Sequence, residues 1–472
     1  MPTNQENDLQ TPRSEGEAMN KTLRDRSPRK SHGVWVPAPD RPDPLDLLQA
    51  QDEERLQSLL PIKYGRMLES PFAFLRGSAV VMASDLAKSP VSGLETVLCG
   101  DAHLSNFGIF ATPERRMVFD INDFDEAYLG PWEWDLKRLA ASAVVAGRGN
   151  GFSDKKCQRL AIYTTKVYAY AMEQFSQEHV LDVWYYQVNV DSVLKVFEKT
   201  SKQGGKSVQK LVSKASRKTH QQTLEKLTKI ENGRRRIISD PPLLVPHREM
   251  DIERFLGPDI LHQMTEQWIN DSWSQYLESL PDERRYLLNQ FRFKDAALRV
   301  GGVGSVGTLC WIILLESQAG GNALILQLKE AGPSVLEAYV GKPRTIGNAE
   351  RVVTGQRLMQ ATSDIFLGWH TSQLSDREYY WRQLKDMKGS AEVSEMDYDS
   401  FRSYLGVCAW CLARAHARTG DETSIAGYIG KNDTFAQAIG DFAVAYADQT
   451  ERDYQALVDA VKSGRVAAET GI

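Results

Sequence analysis

The chain has 472 residues, 42% hydrophobic and 25% charged, with a formal net charge of −5. That length leaves room for two or three domains with ordinary cores, and the negative balance argues against a protein that coats nucleic acid or anionic membrane as a whole. No apolar run approaches the roughly 20 residues of a membrane span, and no apolar leader opens the chain. The five cysteines are scattered but for one close pair, Cys408 and Cys411, which lies in a helical pattern with no second Cys or His pair at metal spacing and reads as core packing rather than a metal or redox site; a reduced, cytoplasmic protein is the expectation.

Residues 1–33 are polar and rich in Pro, Ser, Arg and Lys. Such a segment buries too little surface to offset its ordering entropy, which predicts a disordered tail. Its Arg24-Asp25-Arg26-Ser27-Pro28-Arg29-Lys30 cluster reads as solvated, with contact to an anionic partner as the alternative. From Val34 to Pro44 the prolines favour an extended arm. Leu45, Leu48, Leu56, Leu59 and Leu60 predict a helix over 45–60, and residues 78–86 predict another. Between them, Arg66 and Arg76 sit in apolar surroundings; each forms a structural ion pair or holds a carboxylate or phosphate.

The stretch richest in chemistry comes next. An apolar run, Thr96 to Leu98, leads into Cys99-Gly100-Asp101-Ala102-His103-Leu104-Ser105-Asn106. After a short loop, a second strand-like run ends in Asp120-Ile121-Asn122-Asp123-Phe124-Asp125. Acids and an Asn at the ends of two strands can be aimed at one point. That suits a base for a hydroxyl proton and oxygen ligands for a hard cation such as Mg²⁺. The candidates are Asp101, His103, Asn106, Asp123 and Asp125, with Asp120 as a further ligand. Gly130-Pro131 then breaks the chain, and a helix starts near Trp134 with Leu136, Leu139, Ala140, Ala143 and Val144 on a buried face. Asp135 in its first turn either caps that helix or accepts from N–H groups of a neighbouring loop.

Residues 153–290 read as helical throughout. Within them, 199–236 is strongly basic: Lys202, Lys206, Lys210, Lys214, Arg217, Lys218, Lys226, Lys229 and Arg234-Arg235-Arg236. No aromatic residues interleave these charges, so nucleic acid is not expected. The stretch is a solvated face or a contact for a phosphorylated or acidic substrate. From Phe291 the pattern becomes strand, glycine turn (301–307), strand, loop and a strand carrying Lys329. Glycines let backbone N–H groups close over phosphates. No Gly-Lys-Ser/Thr and no helix comes after the turn, which sets aside the Walker and dinucleotide loops. A helix over 349–362, a strand over 379–384, a turn over 385–390, an apolar helix over 401–418 and a final helix from Thr434 complete an α+β chain.

Taken in reverse order, the halves resemble a protein-kinase-like enzyme. Gly100-Asp101-x-His103-x-x-Asn106 is similar to the catalytic loop of small-molecule kinases, Asp123-Phe124-Asp125 to the metal-binding Asp-Phe-Gly segment, and Gly130-Pro131 with Trp134-Asp135-Leu136 to the later Asp-Leu-Ala helix. The glycine loop, Lys329, a helix and the 379–384 strand resemble the small lobe. More closely, the chain from about residue 33 resembles the bacterial domain-of-unknown-function 2252 family, placed in the kinase-like clan. The resemblance is carried by Ser70-Pro71-Phe72-Ala73-Phe74, residues 99–108, 122–126, 130–135 and 301–307, Lys329-Glu330-Ala331, and Ser334-Val335-Leu336-Glu337.

This resemblance implies a circularly permuted, two-lobe kinase-like fold: a helical catalytic unit over 34–290, a β-rich nucleotide unit over 291–395, and C-terminal helices over 396–472 packing on the first. It implies Asp101 as base or aligner of an acceptor hydroxyl, with His103 in the same loop. Asn106 and Asp123 would hold Mg²⁺ against ATP, with Asp125 a third ligand in place of the usual Gly. Lys329 would contact the phosphates, and Gly301, Gly302, Gly304, Ser305 and Gly307 would cover them. Glu337 would orient Lys329, with Glu350 its rival. Cys99 departs from the usual His before Gly-Asp. The implied activity is ATP- and Mg²⁺-dependent phosphoryl transfer to a small-molecule acceptor; a nucleotide-binding pseudoenzyme and an AMP transferase are the alternatives. A metal-dependent hydrolase is disfavoured, because only His103 and His416 offer nitrogen ligands.

Overall fold

The computed structural model describes residues 13–200, 202–217, 219–250, 266–341, 345–373, 376–384 and 387–472. The apolar periodicity of the Glu133–Gly149 helix is nearly continuous, and every residue from Glu133 to Gly147 is buried. A helix buried on every side must be enclosed by other elements. The Asp154–Phe175 and Thr434–Lys462 helices pack on it, and Tyr398–Ala417 packs on Asp154–Phe175. Alanines at 140, 143 and 146 keep these axes close within one large core. Helices from the two ends of the chain thus form a single helical unit.

Four short strands are set into that unit. β1 (Glu95–Leu98) pairs antiparallel with β4 (Tyr128–Pro131), and β2 (Phe107–Ala111) pairs with β3 (Met117–Ile121). Their registers fix the neighbouring connectors. Leu98 faces Tyr128 and Phe107 faces Ile121. The connector 99–106 and the connector 122–127 therefore start and finish at paired residues, and must lie side by side.

The middle of the chain builds the second unit. A hairpin, β5 (Thr228–Glu231) and β6 (Arg234–Ile237), precedes β7 (Leu244–Pro246), which joins β8 (Phe291–Arg299), β9 (Cys310–Ser317), β10 (Ala323–Ala331), β11 (Gly368–Thr371) and β12 (Glu378–Gln383). The six-stranded sheet has the order β11-β12-β10-β9-β8-β7, antiparallel throughout. Trp311, Ile313, Leu315, Leu324, Leu326 and Leu328 supply its own core.

Several expectations change. Residues 13–33 are not a disordered tail: Arg13–Arg26 is a helix and Arg29–Gly33 a 3₁₀ turn. The basic cluster orders because it has acceptors to serve. Arg24 donates to the carbonyls of Gly427 and Tyr428, and Arg29 donates to that of Ile429 at 2.6 Å. These are carbonyls at the end of the Glu422–Ile429 helix, which lack intrahelical partners and carry partial negative charge. Residues 1–12 lie outside the described residues. The 45–60 helix stops at Asp52, because the Leu56 N–H donates instead to the Gly307 carbonyl at 2.8 Å. Residues 153–290 are not helical throughout, since β5, β6 and β7 interrupt them, and the sheet reaches back to Leu244 rather than beginning at 291. Gly130-Pro131 closes β4 rather than breaking the chain. The 385–390 turn falls partly outside the described residues.

Candidate functional site

Asp101 is positioned by one helix face. Asp135 and Arg138, three residues apart on the Glu133–Gly149 helix, share a side. The Asp135 carboxylate accepts from the Cys99 N–H at 2.8 Å and the Gly100 N–H at 3.0 Å, while Arg138 Nε donates to Asp101 Oδ1 at 2.7 Å. The capping alternative for Asp135 therefore gives way to the neighbouring-loop one. His416 Nε2 lies 3.3 Å from the same Asp135 carboxylate, and Tyr168 Oη 2.8 Å from His416 Nδ1. Gly100 has φ +81°, and an added Cβ would fall 2.1 Å from the Glu126 carbonyl oxygen; only glycine fits.

His103 completes the loop. Its Nδ1 accepts from the Ser105 N–H at 3.1 Å, which assigns the proton to Nε2, 3.5 Å from Asp101 Oδ2. Burial drives its pKa down to about 3, outweighing the opposite pull of Asp101, so it is a neutral imidazole whose Nε2 lies beside the carboxylate. Asn106 donates through Nδ2 to the Asp101 carbonyl at 2.6 Å, which leaves its Oδ1 as the atom offered elsewhere. The Asn122 N–H donates to the Asn106 carbonyl at 2.8 Å, tying the two acidic connectors together.

A cleft of about 1150 Å³ separates these connectors from the sheet. Asp101, His103, Asn106, Asp123 and Asp125 line it from one side; Gly301, Gly302, Gly304, Ser305 and Lys329 line it from the other. Segments some two hundred residues apart thus meet at one cavity. The bridge is explicit. Lys329 Nζ donates to Asp125 Oδ2, and Tyr380, its cross-strand neighbour, donates through Oη to Asp125 Oδ1 at 2.7 Å. Burial alone would lower the Lys329 pKa, but Asp125, then Tyr380 and Asp123, raise it, so it stays an ammonium. Burial would conversely raise Asp125, yet Lys329 and Tyr380 hold it below the usual carboxylate range.

Both Asp125 oxygens are thus engaged by the protein, and Asp125 is the carboxylate paired with Lys329, where the resemblance implied Glu337 or Glu350. Glu337 starts a short helix, Glu337–Val340, and is not among the cleft-lining residues. Gly307 is also outside the cleft wall. Its φ of +90° turns it against Arg55, whose Nη1 donates to the carbonyls of Gly304 at 2.9 Å and Val306 at 2.7 Å. Arg66 donates to the Gly301 carbonyl, so it is a structural clamp on the glycine loop. Asp120 is no ligand either. It is buried and accepts from Arg414 Nη2 at 2.6 Å and from the Ala361 N–H at 3.2 Å.

Among the described residues, no cluster of three or more His, Cys, Asp or Glu forms a metal cage. Mg²⁺ does not need one: it is typically held by one or two carboxylates together with substrate phosphates and water. Asp123 fits such a site. Burial, then the neighbouring Asp125 charge, raise its pKa against the pull of Lys329 and Arg382, so further positive charge beside the carboxylate would be favourable. Asn122 Oδ1 is buried without a hydrogen-bond partner and lines the same cleft, adding an oxygen that sequence motifs did not select. Arg76 is its cationic counterpart, lining the cleft with a buried Nε that has no partner. Burial lowers the Arg76 pKa against the pull of Asp101, Glu69 and Asp123.

The profile of one family spans residues 55–460. The chain belongs to the DUF2252 family. Its members are described as uncharacterized proteins conserved in bacteria. No curated protein and no solved structure matches this DUF2252 chain. Among its described residues, no helix is long and apolar enough to cross a membrane.

Glu126 yields a prediction at this site. Its Oε2 accepts from the Val335 N–H at 2.7 Å, yet burial, opposed by that bond and Arg351, pushes its pKa up to about 7. A carboxyl raised from 4.5 holds its proton in the folded state where the unfolded chain has lost it. Stability therefore falls as pH rises from 4.5 to about 7, then levels. Glu126→Gln is expected to flatten that decline, gaining up to about 3 kcal/mol at pH 8 relative to pH 4.5. Urea unfolding at several pH values checks it; parallel curves for the two proteins exclude a raised Glu126.

Proposed function

We propose that the cleft is the active site of an ATP- and Mg²⁺-dependent phosphotransferase with a circularly permuted, two-lobe protein-kinase-like fold, acting on a small-molecule acceptor. The observation that carries this reading is the Lys329–Asp125 pair across a cavity whose other walls are the glycine loop and Asp101. Mg²⁺, held by Asp123 and Asn106, would neutralise charge on the transferring phosphoryl group. Lys329 and Arg76 supply fixed positive charge for the nucleotide phosphates, and the 301–305 backbone covers them. Asp101, oriented by Arg138 and flanked by His103, accepts the acceptor hydroxyl proton as the new O–P bond forms and the β,γ-bridging bond breaks, giving ADP and a phosphate ester. All five cysteines are free and buried, which suits a reducing, cytoplasmic setting.

Incubation with Mg-ATP and a metabolite extract, read by ³¹P NMR and mass spectrometry, tests the reaction class. ADP with newly phosphorylated species is expected. Pyrophosphate release means AMP transfer instead, and tight ATP binding without turnover means a pseudoenzyme. Lys329→Met is expected to lower transfer by roughly 100-fold or more, since a preorganised charge aimed at the phosphates is lost. A variant retaining full turnover removes Lys329 from the site.

A further inference from the structure

The Lys202–Arg217 helix places Lys206, Lys210 and Lys214 along the cleft. Spaced four apart, they form one stripe. The helix is seated at the catalytic end. Gly389 exchanges two 2.9 Å hydrogen bonds with Ile109 of β2, the strand that begins just after Asn106. A Cβ on Gly389 would lie 3.1 Å from both Leu211 and Ala215. Leu211 and Ala215 thus anchor the helix to the 389 segment and β2, so the lysines flank the catalytic loop.

The three ammonium groups are exposed and make no ion pair among the described residues. Glu392 and Glu395 also line the cleft, but among the described residues no ion pair joins them to the stripe. Like charges four apart on a helix repel, and among the described residues no ion pair offsets that cost. Nor does the nucleotide require the stripe, because Lys329 and Arg76 already serve its phosphates in the proposed reaction. Three further cations beside the acceptor base raise the local concentration of anions. The cavity suits a nucleotide plus a small molecule rather than a polymer.

We propose that the acceptor is itself anionic, a small hydroxyl compound already bearing a phosphate or several carboxylates, and that Lys206, Lys210 and Lys214 select it. This rests on the phosphotransferase reading, and the test separates the two. Wild type and the Lys206→Gln/Lys210→Gln/Lys214→Gln variant are first titrated calorimetrically with Mg²⁺ and a non-hydrolysable ATP analogue. Both are then titrated, loaded with that analogue, with ribose against ribose 5-phosphate, glycerol against glycerol 3-phosphate, and citrate. Glutamine keeps helix propensity, and an unchanged thermal transition verifies the fold. The expected result is a preference of roughly tenfold or more for the phosphorylated members, or for citrate, in wild type. In the triple variant that preference disappears while analogue affinity stays within about twofold. Preference for the phosphate esters over citrate assigns the phosphate class, and the reverse the polycarboxylate class. Equal binding of charged and neutral probes, no binding of any anion, a preference that survives in the variant, or loss of analogue affinity in the variant overturns the proposal. Failure of wild type to bind the Mg²⁺–analogue complex overturns the phosphotransferase reading as well.

Discussion

Asp123→Asn is expected to reduce ADP formation from Mg-ATP by about a thousandfold or more while raising, not lowering, the thermal transition. The two halves of that result have one cause. Asp123 lies beside Asp125 in a buried setting, and burial together with that neighbouring charge raises its pKa. The net effect of burial and the Asp125 charge, opposed by Lys329 and Arg382, disfavours the ionised form in the fold, and the neutral amide relieves that cost. Such a residue is retained for something other than stability. Replacement with Asn removes the charge that would hold Mg²⁺ but keeps the shape. Asp101→Asn gives the contrasting case. Transfer is again lost, but stability falls, because Arg138 and its buried guanidinium lose the anion 2.7 Å away. Parallel measurements of ADP release and of melting temperature check both variants. An Asp123→Asn protein that melts earlier and still turns over would assign Asp123 a structural role.

Asp135→Ala carries the largest expected loss of stability. Three groups converge on that carboxylate: the N–H groups of Cys99 and Gly100, and His416 Nε2. Cys99 is 1% exposed, so water cannot replace the lost acceptor. Orphaning buried donors costs about 1–3 kcal/mol each, which for these three groups sums to about 3–9 kcal/mol in the alanine variant. Asp135→Asn keeps one acceptor oxygen and is expected to lose about half as much. The effect is not confined to stability. Those two amides fix the backbone on which Asp101 rides, so the variant is also expected to lose transfer at temperatures where it remains folded. Urea unfolding of both variants, with hydrogen exchange at the 99–101 amides, tests this. Unchanged protection at Gly100 in the alanine variant would exclude Asp135 as its anchor.

Legibility of the site differed by residue. The acidic connectors were readable because spacing within a few residues sets them. The Asp135 role was one of two open readings, and three-dimensional placement decided between them. Asp125, Asp120 and Arg66 read differently in the sequence because their partners, Lys329, Arg414 and the Gly301 carbonyl, are remote in the chain. One miss was avoidable: Asn232-Gly233, both at positive φ, is a strong local hairpin signal inside the stretch read as all helix. The basic residues 24–29 were misread for a different reason. Composition describes what a segment can bury by itself, not which carbonyls elsewhere await its donors.

By itself the sequence determined the local elements and the chemistry each carries: the β10 strand with its lysine, the glycine turn, the Gly-Asp-x-His-x-x-Asn loop, and the buried helix after Trp134. Periodicity and short-range spacing encode these, because they depend on neighbours within a turn or a pleat. Tertiary structure alone decided which carboxylate Lys329 engages, that Lys206, Lys210 and Lys214 border the cleft, and that the first and last helices share one core. Those outcomes depend on packing between segments hundreds of residues apart, where charge pairing and burial are settled by the whole fold rather than by any stretch of it.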